Sequence, residues 1–357
     1  MTEALQLLVV MDDPAGIDPT TDTTLALVEG ARRRRHAVEV CTPDALGLDG
    51  ASLIALAGPV IGTRTDGSPA IVTGRPQPRA VAGYDAVLMR KDPPFDLAYY
   101  TTTLLLERAR SSTLLINDPR ALRETNEKLS VLEFPDLAPE TRVTRSLAEL
   151  EAFLTRCEQQ MVIKPLDRCG GSGIFLARAG DPNLRSILET ATNSGRELVM
   201  AQRYLPEARA GDKRILLLDG EPLGAVLRVP ARGDARGNFH AGATPHHTRL
   251  TPRDREICSR VGAHCRRRGL AFVGIDVIGD RLTEINVTSP TGLRQINRLE
   301  GAHLEDTVID WLTTRCAEHR SETSHHPPRD LSTGRRRHPA GRDRQGAVTP
   351  CPSPSLP

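Results

Sequence analysis

Apolar residues over the first third of the chain come in two alternating textures. The run LQLLVVMD at 5–12 is almost continuously apolar, as in a strand covered on both faces. PTTDTTLALVEGARRRRH at 19–36 spaces its apolar positions helically, and AVEVC at 37–41 returns to a strand. The succession repeats in YDAVLMR (84–90), LAYYTTTLLLERARSS (97–112) and TLLIND (113–118). This predicts an open, mostly parallel sheet covered by helices over residues 1–122, an α/β fold. The block Arg32 to Arg35 falls where a helix C-terminus favours cations.

From about residue 123 the pattern changes. ETNEKLSVLEF (124–134) reads as a helix. ETRVTRS (140–146) and QMVIKPLD (160–167) read as strands, with a helix at 147–159 between them. GIFLAR (173–178) pairs back after a glycine-rich turn, which closes a small unit over 123–200. Residues 201–316 form a larger α+β unit ending in the helix LEDTVIDWLTTRCAEH. The segment 317–357 is rich in Ser, Pro, His, Arg and Gly, too polar to offset chain entropy, and is expected to be a disordered tail.

Composition narrows the function. With 39% hydrophobic and 26% charged residues the chain is an ordinary soluble protein, and no apolar run is long enough to span a bilayer. The start, MTEALQLLVVMDDPAG, reads as a first strand and not as a signal peptide. Seven dispersed cysteines without a CxxC pair predict free thiols in a reducing cytoplasm, Cys169 an inert loop thiol among them. The net charge of +2 sits mostly in the tail, so no nucleic-acid-binding face is expected. No dinucleotide fingerprint follows the first strand. Only four of the 47 basic residues are lysines, Lys91, Lys128, Lys164 and Lys213. They are candidates for sites that need a compact ammonium on a thin stem.

Two stretches carry chemistry. In VIKPLDRCGGSGIF (162–175) a strand lysine, Lys164, precedes a loop with Gly170, Gly171, Ser172 and Gly173. Such a loop turns backbone N–H groups toward phosphate oxygens; a plain hairpin turn is the alternative. In AFVGIDVIGDRLTEINVTSP (271–290) two strand-like runs flank Gly279-Asp280. A three-residue loop, Gly279 to Arg281, sets Asp276 opposite Glu284, with Asn286 on the same side. That gives oxygen donors for a hard cation such as Mg²⁺. A two-residue loop would turn the carboxylates to opposite faces and dissolve the cluster.

The order of these pieces resembles one family. Lys128, the IKP strand with its glycine loop, MAQRYLP (200–206), GDKR (211–214) and GIDVIGDRLTEINVTSPTG (274–292) are similar to prokaryotic glutathione synthetase of the ATP-grasp superfamily. VLMRKDPPFD, NEKL, GDKRILLLDGEP and EINVTSPTG strengthen the likeness, which spans residues 6–316. It implies a pre-ATP-grasp N-terminal domain (1–122) followed by a two-subdomain ATP-grasp fold (123–200 and 201–316). It also implies a ligase that joins glycine to γ-glutamylcysteine, with ATP as co-substrate, through an acyl phosphate. The alternative is a related ligase with another amino acid or acceptor.

The same resemblance implies the site. Lys128 and Lys164 would contact the ATP phosphates, and Gly170 to Gly173 would fold over them. Gln202, Arg203, Tyr204 and Leu205 would meet adenine, and Asp212 the ribose. Arg214 would stabilise the transferring phosphoryl group, and Asp276, Glu284 and Asn286 would hold Mg²⁺, or Mn²⁺ in its place. Arg90 and the turn Ser289, Pro290, Thr291 and Gly292 would grip the peptide. Residues 229–245 match a mobile lid with Arg236 pointing inward. Here His240, Ala241, Gly242, Ala243 and Thr244 replace the family's Ala-Ala-Gly-Gly-Arg. The first loop, DPTTDTT, lacks a lysine often found before the aspartate. A cytoplasmic homo-oligomer, tetramer or dimer, is expected.

Overall fold

The computed structural model describes residues 3–64, 69–168, 170–231, 237, 239 and 242–325. The first part runs β1 (Gln6–Val10), α1 (Thr23–Arg33), β2 (Ala37–Cys41), β3 (Leu46–Asp49), β4 (Ser52–Thr63), β5 (Ile71–Thr73), β6 (Gln77–Ala80), β7 (Ala86–Met89), α2 (Leu97–Glu107), β8 (Leu114–Ile116) and α3 (Pro119–Glu124). The sheet order is β3-β4-β2-β1-β7-β8, with β5 and β6 also on β4. β1 is parallel to β2 and β7, and β7 to β8. The parallel part is therefore four strands. The other half is an antiparallel extension built on β4, a region where the sequence pattern marked no elements.

The small unit contains β9 (Thr141–Thr144), α4 (Leu147–Arg156), β10 (Gln160–Pro165), β11 (Phe175–Arg178), α5 (Leu184–Ala191) and β12 (Val199–Arg203), with sheet order β11-β10-β12-β9. The last part is β13 (Asp212–Leu218), β14 (Glu221–Val229), β15 (Thr244–His247), α6 (Pro252–Arg268), β16 (Phe272–Ile278), β17 (Arg281–Asn286), α7 (Leu293–Glu300) and α8 (Leu304–His325). Its sheet order is β15-β14-β13-β16-β17.

Packing divides the chain differently from the sequence reading. The small unit has its own core, including Leu150, Phe153, Met161, Ile163 and Ala201. The first and last sheets share two cores. Leu8 and Val10 of β1 join Ile215, Leu217, Ile275 and Val277 in one. The alternate residues Leu7 and Val9 join Leu216, Leu218, Phe272 and the α8 residues Val308, Ile309 and Leu312 in the other. Helix α8 thus returns to cover α1. Gly30 lies so close to it that a Cβ there would sit 2.9 Å from Glu305 Cγ. The arginine block at the end of α1 reaches across: Arg33 pairs with Glu305 and Asp306, and Arg34 with Asp306 and Asp310.

Two expectations are corrected. Residues 124–134 are not one helix. The Asn126 side chain accepts from the backbone N–H groups of Lys128 and Leu129, a local turn that competes with an α-helix, and only a short 3-10 turn, Leu129–Glu133, follows. The tail does not begin at 317, because α8 continues to His325. Arg320 there pairs with Glu3 and Asp85. Residues 326–357 lie outside the described residues. A cut after residue 316 should lower the melting temperature by several degrees relative to a cut after 325, measured by circular dichroism. Equal melting temperatures would return 317–325 to the tail.

The described cysteines, Cys41, Cys157, Cys258, Cys265 and Cys316, are buried and free. Burial pushes the thiols of Cys41, Cys258, Cys265 and Cys316 up to about 12, which makes them unreactive.

Candidate active site

Neighbouring strands of the last sheet point charges from one face. Asp212 and Arg214 are two apart on β13 and share a side. Asp212 lies opposite Arg228 of β14, and Arg214 opposite Asp276 of β16. Arg228 donates through Nε and Nη2 to the Asp212 oxygens at 2.5 and 2.8 Å, and its Nη2 lies 3.0 Å from Asp276 Oδ2. Arg214 grips Asp276 with Nε at 2.5 Å and Nη2 at 3.0 Å, and donates Nη1 to Thr291 O at 3.2 Å. The result is a buried row of alternating charge, Asp212, Arg228, Asp276, Arg214. Burial disfavours the Asp276 carboxylate, yet Arg214 and Arg228 outweigh it and hold the group well below the usual carboxylate range. At Asp212 burial wins over Arg228, and its pKa is raised.

The hairpin β16–β17 resolves the question of loop length. Ile278 pairs with Arg281, so the turn Gly279-Asp280 has two residues, not three. The carboxylates still pair, because the register shifts after Val277↔Leu282 and Asp276 meets Glu284. Thr283 is the extra residue of this β-bulge, and its hydroxyl donates to Asp276 O at 3.1 Å. Asn286 Nδ2 lies 3.3 Å from Asp276 Oδ2.

The outer edge of β17 is covered by the segment before the 3-10 turn. Ile285 N donates to Glu127 O at 3.0 Å, which sets Lys128 beside Glu284. Lys128 Nζ is 3.3 Å from Glu284 Oε1 and donates to Arg168 O at 2.5 Å. Lys164 arrives from β10 and donates to Thr283 O at 3.4 Å. Burial lowers the Lys164 pKa, and Glu284 opposes that. Both ammonium groups, the charge row, Glu284 and Asn286 line one cavity of about 540 Å³.

The rest of that cavity is divided by polarity. Gly170, Gly171 and Ser172 form one rim, the two glycines at φ of 64° and 81°, where a Cβ would be strained. Val162, Ile174 and Leu176 line one wall and Ile278 lines another, an apolar slot beside the chain segment Gln202, Arg203, Tyr204 and Leu205. Ser289, Pro290 and Thr291 line it too.

Some expected residues do not line it. Arg90 is buried behind the turn. It donates to Thr24 Oγ1 and to Pro290 O, both at 3.1 Å, and accepts from Ser289 at its carbonyl. It braces the turn instead of facing the cavity. Gly292 is the N-cap of α7, and Gly173 lies against Pro165. Arg236 lies outside the described residues, as do His240, Ala241 and Cys169. The four lysines split: Lys213 pairs with Asp254 at the N-terminus of α6, and Lys91 with Asp12 at 2.8 Å. Only Lys128 and Lys164 reach the cavity.

Sequence reading missed two residues here. Arg228 was legible as a charge inside the apolar strand LGAVLRVP. Glu127, beside Lys128 in NEKL, accepts at Oε1 from Val287 N, Thr288 N and Thr288 Oγ1 at 2.8–3.0 Å, and burial raises its pKa.

Among the described residues no cluster of three or more His, Cys, Asp or Glu side chains is placed to hold a metal. Two carboxylates and an amide are present, all oxygen donors. That set suits a hard cation that keeps waters and shares substrate phosphates. Glu284 and Asn286 fit it directly, whereas Asp276 shares its oxygens with two guanidiniums.

The chain is similar to known proteins over most of its length. Residues 5–123 match the family model "Prokaryotic glutathione synthetase, N-terminal domain", and 127–301 match "Prokaryotic glutathione synthetase, ATP-grasp domain". The chain is 46% identical over 313 residues to a glutathione synthetase of Brucella melitensis, covering 87% of this chain and 99% of that protein. It is 44% identical over 316 residues to that of Bradyrhizobium diazoefficiens, covering 88% and 99%. Solved structures share the fold. D-cycloserine synthetase DcsG superposes with TM-score 0.60 at 17% identity, covering 87% of this chain and 99% of its own. The ATP-grasp ligase PsnB, complexed with a precursor peptide and AMPPNP, gives 0.57 at 15%, covering 89% and 100%. Among the described residues no helix is long and apolar enough to cross a membrane. With both halves matched and identity above 40% over most of its length, this chain belongs to the prokaryotic glutathione synthetase family.

Proposed function

We propose that the chain joins glycine to γ-glutamylcysteine at the expense of ATP. The γ-phosphoryl group passes to the C-terminal carboxylate of the dipeptide, giving an acyl phosphate and ADP. The glycine amine then attacks the acyl carbon, phosphate leaves, and a proton is released from the amine. A free carboxylate resists attack because oxide is a poor leaving group; phosphate is a good one.

One observation carries this reading: two ammonium groups and an oxygen-donor cluster converge on one cavity that also has an apolar slot. Lys128 and Lys164 hold phosphate charge, and the glycine rim covers it. The apolar slot takes adenine, with the backbone of Gln202 to Leu205 along its edge. Arg214, fixed between Asp276 and Thr291 O, faces the transferring group. The turn Ser289 to Thr291, braced by Arg90, meets the dipeptide. Bound Mg²⁺ would supply charge neutralisation at the phosphates, held by Glu284, Asn286 and Asp276. A cytoplasmic homo-oligomer and boundaries at residues 122 and 200 complete the proposal.

The test is phosphate release with each substrate omitted in turn, and with glycine replaced by other amino acids. Release that requires γ-glutamylcysteine and glycine together supports the assignment. Equal or faster release with another acceptor points to the related ligase.

A further inference from the structure

The charges of the cavity are unevenly placed. Lys128 and Lys164 stand by Glu284 and Thr283, whereas Asp92 and Glu127 line the wall with Pro93, Ser289 and Pro290. Glu127 is held by one oxygen. Oε1 accepts from Val287 N, Thr288 N and Thr288 Oγ1 at 2.8–3.0 Å, and Oε2 makes no hydrogen bond to a described residue. Nearby cations are engaged elsewhere, Lys128 with Glu284 and Lys91 with Asp12. Arg90, behind the turn, lies in the field of both Asp22 and Asp92, and one guanidinium balances only one carboxylate. Tyr99 marks the same corner. It is 1% exposed and its hydroxyl is buried without a partner. Burial, and then the charges of Glu127 and Asp92, push that hydroxyl's pKa up. A carboxylate oxygen and a phenol oxygen that lack partners both accept from an ammonium, which has three N–H donors and no acceptor. A cation there would also offset the cost of burying Glu127.

We propose that Glu127, with Asp92 beside it, receives the α-ammonium of the γ-glutamyl head of the dipeptide. This rests on the reading of γ-glutamylcysteine as the substrate. Two amines enter that reaction, and chemistry separates them. A carboxylate beside an amine favours its protonated form, which has no lone pair to attack with. The glycine amine must attack, so it does not belong here. The γ-glutamyl amine takes no part in bond formation and keeps its charge throughout. Position agrees: Thr288, which donates to Glu127 twice, directly precedes the turn Ser289 to Thr291 that meets the dipeptide. Glu127 thus selects a dipeptide by its amine, while its other oxygen fixes the turn.

The test compares γ-glutamylcysteine with glutarylcysteine, which keeps both carboxylates and the thiol and lacks only the amine. Phosphate release by the full-length protein is followed with ATP and glycine. Wild type should favour the amine-bearing dipeptide in kcat/KM by about 10- to 100-fold, the worth of a hydrogen bond to a charged group. Glu127→Gln should erase most of that preference, and Glu127→Asp should keep part of it. Damage to the Thr288 contacts slows both dipeptides alike and cancels in the ratio. Where Glu127→Gln folds but does not turn over, calorimetry with a non-hydrolysable ATP analogue reads the same ratio from dissociation constants. Asp92→Asn changes an exposed side chain, so the fold tolerates it, and it should lower the preference severalfold. An unchanged preference in Glu127→Gln overturns the proposal, as does one in Asp92→Asn where the first variant does not fold. A wild type that uses both dipeptides equally overturns it too, while leaving the ligase reading intact. A wild type that releases phosphate with neither dipeptide sinks the ligase reading and the subsite together.

Discussion

Glu284→Gln should lower turnover by about 100- to 1,000-fold, the loss expected when one preorganised charge contact at a reacting phosphoryl group is removed. The substitution keeps the side chain's shape and one acceptor oxygen but removes its charge. Two things go with that charge. The ammonium of Lys128 loses its partner at 3.3 Å, and the oxygen cluster opposite Asp276 loses its freest carboxylate. The fold should survive, because Glu284 is partly exposed and its backbone stays paired in the hairpin. The measurement is kcat by phosphate release alongside thermal unfolding. High Mg²⁺ should recover part of the loss. A variant with near-normal turnover would remove Glu284 from the machinery.

The largest structural effect is expected far from the chemistry, at Gly262→Ala. Helix α6 lies with its backbone against the β13–β14 turn. A Cβ at Gly262 would fall 1.9 Å from Gly220 O and 2.8 Å from Gly220 C. The obstacle is main chain, so no side-chain rotation relieves it. Gly220 has φ +81°, so the turn has little freedom to move aside. The helix must shift, which would drag Ile257, Val261 and Cys265 out of a shared core. A loss of about 4 kcal/mol or more follows, the range reserved for overpacked or strained sites. Urea unfolding measures it. A variant within about 1 kcal/mol of wild type would contradict the contact.

Much of this was legible in the residues. Strand β1 showed as an apolar run because both faces meet a core, and the cavity-lining Gly170, Gly171, Lys128 and Lys164 showed because glycine and lysine are informative where they are scarce or clustered. What failed was local competition and long-range packing. Asn126 ends a helix-like pattern with its own side chain, and periodicity cannot register that. The bulge at Thr283 restores a pairing that loop length alone would have broken. Strands β3 and β6, at 46–49 and 77–80, flank β4 and are mostly exposed, so alternation is weak there. Arg90 sits in a string shared with the family, yet its position behind the turn depends on Thr24 and Pro290, 66 and 200 residues away in sequence.

Helix α8 has a consequence for how the chain is made. During synthesis the amino-terminal sheet leaves the ribosome long before residues 304–316, the piece that covers its second face. Until then Leu7, Val9, Leu25 and Val28 lack their final partners. The nascent domain therefore carries an open greasy surface until α8 is made, a natural target for a chaperone. Completion of the first domain waits for α8.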